Sequence, residues 1–101
     1  MQYRIKEDGS SIHVTLEGQL NFAANEDFQN LLGQLGSKKN RSVVFEMSGL
    51  THIDSVGLGL LYIAREDMAD SGSNITLSRP RDNVYRMLEL TEAHKTFKIE
   101  R

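Results

Sequence analysis

The 101-residue chain contains no cysteine. Disulfide scaffolding, thiol catalysis and cysteine-ligated zinc are excluded together, and the composition is compatible with a reducing compartment. It has no excess of either charge: twelve Lys and Arg against fourteen Asp and Glu leave a net −2. Such a balance supplies no field for holding phosphate backbones or anionic lipid, so neither nucleic acid nor a membrane surface is an expected partner. Long apolar runs are missing too. No uncharged stretch, Ser55 to Ala64 included, exceeds ten residues, where a membrane span needs ~20. The opening MQYRIKEDGS has no cationic start followed by an apolar run, so no secretory signal is expected and the expected location is cytoplasmic. His13, His52 and His94 lack the i, i+4 spacing of a zinc helix. Gly57-Leu58-Gly59 lacks the third glycine of a dinucleotide fingerprint, and no Lys-Ser or Lys-Thr pair follows a glycine-rich loop. Neither a metal nor a nucleotide cofactor is expected.

What remains is an ordinary globular composition, 39% hydrophobic and 26% charged, in a length that suits one domain over residues 1–101 with one core. Tyr3 and Ile5, then Ile12, Val14 and Leu16, alternate with polar neighbours across the turn formers Glu7 to Ser11, which predicts an antiparallel hairpin. Phe28, Leu31, Leu32 and Leu35 then fall at i, i+3, i+4 and i+7, the stripe of a helix that ends near Gly36. Ser42 to Met47, apolar in succession and β-branched at its centre, predicts an interior strand. A second helix is expected from about Val56 to Asp70, ended by Ser71-Gly72, followed by a short strand through Ile75 and Leu77. Pro80 is expected in the first turn of a third helix that buries Val84, Met87, Leu88 and Thr91. Phe97 and Ile99 suit a last short strand. The order predicts an α/β fold with a mixed sheet of four to five strands and three to four helices.

Chemistry concentrates where the interior strand meets the second helix, at His52-Ile53-Asp54-Ser55-Val56-Gly57-Leu58-Gly59. Ser55 is expected at the N-cap, its hydroxyl accepting from a free N–H of the first turn. A phosphate attached there would meet unpaired N–H groups and the positive end of the helix dipole, so the same residue also suits a switch. Asp54 supplies negative charge at a helix start. Gly57 and Gly59 each cost ~1 kcal/mol against alanine in a helix, which either close packing on the sheet or close approach of a partner to Ser55 would repay. At 100° per residue Leu60, Leu61, Ala64 and Met68 share an arc with Gly57 and form the core face, while Leu58, Tyr62 and Ala69 form a second, at least partly exposed arc suited either to docking or to a wider buried face. Ser55, His52 and Asp54 are the residue types of a hydrolytic triad, but triad members converge from separate elements, and the glycine-serine-glycine elbow is absent.

The stretch VVFEMSGLTHIDSVGLGLL resembles the strand, turn and D-S-x-G-L-G helix start of the STAS domain family, whose type members are bacterial anti-sigma factor antagonists. Leu16 to Leu20 is similar to the family's G-x-L turn, and Arg86 to Thr91 to its third helix. The resemblance implies a non-enzymatic, phosphorylation-controlled binding protein. Ser55 would be the phospho-acceptor, with Asn21, Asp54, Val56, Gly57, Leu58, Gly59 and Tyr62 around it. The implied partners are an anti-sigma factor that is also a serine kinase of the histidine-kinase ATPase type, released on phosphorylation, and a serine phosphatase that restores binding. Two positions depart from the family pattern: Asn21 stands where aspartate is frequent, and Thr91-Glu92-Ala93 where a small-residue turn is usual. The amide at Asn21 motivates the alternative of an adaptor subunit in a transporter or other signalling assembly, with Ser55 only a cap. A weak homodimer through a free hairpin edge is a further expectation.

Overall fold

A computed structural model describes residues 1–101. Strand β1 (Gln2–Asp8) turns through Gly9-Ser10 into β2 (Ser11–Leu20), with Gly9 in the left-handed region at φ +63° that the tight turn demands. A 3₁₀ turn, Phe22–Ala24, leads into α1 (Asn25–Leu35). Then follow β3 (Ser42–Ile53), α2 (Ser55–Asp70), β4 (Asn74–Ser78), α3 (Asp82–Leu90), a second 3₁₀ turn (Ala93–Lys95) and β5 (Lys98–Glu100). The five strands stand in chain order across one sheet, β1 antiparallel to β2 and every later pair parallel.

Strand register sorts the residues between two faces. Ile5, Val14, Phe45, Leu77 and Ile99 form one cross-strand row, and Ile12, Val43 and Ile75 another on the same face. This face joins the buried residues of all three helices in a single core of 24 residues, in which Phe28 of α1 meets Phe45 edge to face with ring centroids 6.2 Å apart. The other face carries the rows Arg4, Thr15, Glu46, Ser78, Glu100 and Lys6, His13, Val44, Thr76, Lys98, a polar surface without aromatic residues.

Three local expectations differ from the structure. The interior strand does not stop at Met47 but runs on to Ile53, because β2 bends with it through register shifts between Thr15 and Glu17 and between Gly18 and Gln19. Pro80 precedes α3 rather than entering its first turn, and Arg81 is the N-cap. Val84 and Leu88 are buried and Met87 half-buried, but Thr91 is exposed at the C-cap, its hydroxyl donating to the Met87 carbonyl at 2.8 Å and so closing the helix.

On the polar face Arg79, itself in the left-handed region at φ +51°, grips the Glu46 carboxylate with Nε (3.0 Å) and Nη2 (2.6 Å). Burial pushes the Glu46 carboxyl up, but the hydrogen bonds from Arg79 and from the Ser48 N–H outweigh it and hold the group below its ordinary value. An acid lowered in the folded state contributes stability that is complete above its unfolded pKa, ~4.3, and is lost as pH falls through the lower folded value. Because Arg79 is well exposed, the contribution stays under ~1 kcal/mol. Glu46→Gln is therefore expected to lower the urea midpoint slightly at about pH 7, and the gap to the parent protein to close as the pH is taken toward about 3. A gap of constant size would show that packing, not charge, is responsible.

Candidate functional site

Parallel strands carry binding loops at their carboxyl ends, and here the ends of β2 and β3 lie side by side because Leu20 pairs with Ile53. The next residues of each strand, Asn21 and Asp54, are thereby brought together from 33 positions apart in sequence. The Asp54 N–H donates to the Leu20 carbonyl at 3.4 Å, extending the ladder one step into the loop. Asn21 half-buries its carboxamide, whose Nδ2 donates to Gln19 Oε1 at 3.0 Å.

Asp54, not Ser55, caps α2. Its backbone is extended (φ −118°, ψ −174°) and its Oδ1 accepts from the Gly57 N–H at 2.8 Å. Aspartate and serine are about equally good caps, so the identity of the cap was decided by where the chain turns, one residue earlier than the sequence indicates. Ser55 is consequently the first helical residue, exposed, with an Oγ that makes no hydrogen bond in the protein. The N–H groups of Ser55 and Val56 beside it have no acceptor within the helix. Asp54→Ala should cost about 1 kcal/mol and lower the melting temperature by roughly 4–8 °C, with Asp54→Asn restoring most of it since asparagine caps as well. If asparagine melts like alanine, charge at the helix start outweighs the cap.

Gly57 faces the sheet. A Cβ there would collide with the Leu20 carbonyl oxygen and stand 2.7 Å from its carbon, so only glycine lets α2 rest on the end of β2. Gly59, by contrast, has nothing within 4 Å of where its Cβ would stand. The two glycines of the motif therefore do different jobs: one seats the helix and the other leaves its outer surface low.

That outer surface is apolar. Val56 (41% exposed) and Ile63 (44%) lie on one side of α2 with Gly59 between them, and the 3₁₀ turn that bears Phe22 (75%) packs against the same helix. Phe22 and Ile63 were not anticipated. The spacing 56, 59, 63 carried the signal, but α2 is apolar around most of its circumference, so the core-facing stripe masked the outward one. Of the second arc, Leu58 and Tyr62 are half-buried against the core and Ala69 is exposed. The Tyr62 ring lies 5.2 Å from that of Phe97. Glu66, Asp67 and Asp70 give the far end of the exposed face a negative rim.

The triad residue types do not converge. His52 Nδ1 faces Thr51 Oγ1 at 3.0 Å, Thr51 donates to the Gly18 carbonyl at 3.1 Å, and Asp54 is committed to Gly57. Ser55 lines none of the surface cavities; the one beside the end of β3, about 150 Å³, is formed by Ser48, Leu50, Thr51 and the start of α3. The arrangement is an exposed hydroxyl beside an apolar platform, a geometry for contact between proteins.

Solved structures share this architecture. An anti-sigma-factor antagonist (STAS) domain protein from Planctomyces limnophilus superposes with a TM-score of 0.84 over 97% of this chain and 88% of its own, at 12% identity. The anti-sigma factor antagonist SpoIIAA of Bacillus matches in its unphosphorylated form (TM-score 0.70, 13% identity, 99% of this chain and 87% of that one) and in its phosphorylated form (0.69, 15%, 97% and 90%). In sequence, a STAS-domain containing protein of Pseudomonas aeruginosa is 26% identical over 92 residues, covering 91% of this chain and 90% of the relative. The family model of the STAS domain matches residues 2–101, and with it the strand order and the helix start built above have one explanation: the chain belongs to the STAS domain family.

Proposed function

We propose that this STAS domain is a phosphorylation-controlled protein-binding switch of the anti-sigma factor antagonist kind, with Ser55 as the phospho-acceptor. The unphosphorylated domain binds a partner that is both anti-sigma factor and serine kinase, phosphorylation releases it, and a serine phosphatase resets the surface. The observation that carries this reading is the division of labour at the start of α2. Asp54 takes the cap, which leaves the Ser55 hydroxyl exposed and unbonded. Phosphate there gains the free N–H groups of the first turn and the helix dipole, so the fold tolerates it. The same charge, placed next to Val56 on the helix face that also carries Gly59 and Ile63, must be desolvated when a partner covers that face, so binding is what suffers. Asn21, Leu58 and Tyr62 complete the rim. SpoIIAA, solved in both phosphorylation states with similar likeness to this chain, supports the view that such a switch leaves the fold in place.

Intact-mass measurement of the protein purified from its native host, with peptide mapping across Ser55, tests the proposal. A fraction of molecules carrying one phosphate on Ser55 is expected. Its complete absence under several growth conditions would instead favour an adaptor subunit of a transporter or other signalling assembly, for which the amide of Asn21, turned to Gln19 rather than to Ser55, is the supporting observation.

A further inference from the structure

At the opposite end of the sheet from Ser55, α2 and the starts of β4 and β5 enclose a cavity of about 300 Å³ lined by Arg65, Ala69, Ser73, Asn74, Ile75, Thr96, Phe97 and Lys98. It exists because β4 begins at Asn74, whereas its pairing with β5 begins only at Thr76 and Lys98. The first two residues of β4 therefore have no strand beside them on that side. Ile75 and Phe97, the latter 3% exposed, supply an apolar floor, and Ala69 keeps the helix wall low.

The polar groups around that floor have one sign. Arg65 contributes a cation and no lining residue is acidic. Arg65 has no carboxylate partner, whereas the Lys98 ammonium lies with Glu100 (3.4 Å) on the polar face of the sheet and takes no part. Ser73, 8% exposed, accepts the Arg41 N–H at 2.9 Å, but its own hydroxyl proton finds no acceptor in the protein. A nearly buried donor left unused, an unpaired cation and an apolar floor are together the complement of an anion with a hydrocarbon body.

We infer that this cavity is a binding site for a small organic carboxylate, its anionic end between Arg65 and the Ser73 hydroxyl and its hydrocarbon or aromatic body on Ile75 and Phe97. A 150 Å³ apolar cavity holds benzene, so about twice that volume suits a ring with a short acidic arm. An open site of this size is expected to bind such a ligand with a Kd on the order of 1–10 mM.

The test is a ¹H–¹⁵N NMR titration of the full chain at constant ionic strength with three probes: phenylacetate, 2-phenylethanol, which keeps the body without the charge, and acetate, which keeps the charge without the body. Phenylacetate should give saturable shifts centred on the amides of Ser73 to Ile75 and Thr96 to Lys98, with either control at least about tenfold weaker. Arg65→Gln, at an exposed position with no ion pair to lose, should weaken phenylacetate by about tenfold, leave 2-phenylethanol unchanged and leave the remaining resonances in place. Non-saturating shifts, shifts scattered over other cationic surfaces, an equal response to either control, or full-strength binding by Arg65→Gln would each overturn the assignment.

Discussion

Gly57→Ala is expected to destabilise the protein by about 3 kcal/mol or more, the upper range for overpacking, while Gly59→Ala, two residues away, is expected to stabilise it by about 0.5–1 kcal/mol. The opposite signs follow from what each new methyl would meet. At Gly57 it would meet the Leu20 carbonyl, which is main chain and can only move if β2 or α2 moves. Neither is free to do so: Leu20 is held by its pairing with Ile53, and its oxygen accepts the Asp54 N–H that starts the helix. At Gly59 the methyl would enter open space, and the gain in helix propensity is undiminished. For a domain of this size the pair should differ in melting temperature by roughly 15 °C or more. A Gly57→Ala protein that melts within a few degrees of the parent would show that α2 does not rest on the end of β2 as closely as described.

Ser55→Asp should bind the partner kinase at least about 30-fold more weakly than Ser55→Ala, the equivalent of the ~2 kcal/mol at which a mismatched charge in an interface begins to tell. Thermal melts of the two variants should agree within a few degrees. The exposed side chain at the first position of α2 has no contact to lose, and a negative charge there is favoured by the helix dipole by ~0.3–1 kcal/mol at low ionic strength. The prediction rests on the proposed switch and is measured by calorimetry or biolayer interferometry with the purified cognate anti-sigma factor. Equal affinities, with equal melts, would sink the switch and leave Ser55 as a surface residue of the interface. A melt that collapses in the aspartate variant alone would instead mean that phosphate acts by disrupting the fold.

Much of this architecture is written locally. The stripe Phe28, Leu31, Leu32, Leu35 and the alternation through Ile12, Val14 and Leu16 specify their elements because the period of each matches one backbone geometry, and all seven residues are buried as that matching requires. The motif around Ser55 was legible for the same reason, since its residues are contiguous. Less legible was which of two adjacent capping residues does the capping. Asp54 and Ser55 are chemically interchangeable there, and the choice depends on where β3 ends, which in turn depends on how far β2 accompanies it.

The sequence by itself determined an α/β domain with one core, its helix and strand periods, and a serine at the start of the second helix, because periodicity and capping act over a few neighbouring residues. Only the tertiary structure decided that Asn21 sits beside Asp54, that the turn bearing Phe22 packs against α2, whose Val56 and Ile63 are exposed, and that Gly57 is there for the Leu20 carbonyl while Gly59 is not. It likewise decided that Arg65 and Ser73 share a cavity with Phe97 and Lys98. Those relations are set by strand order and by the lengths to which paired strands run. They arise from packing between segments far apart in the chain, and no local pattern encodes them.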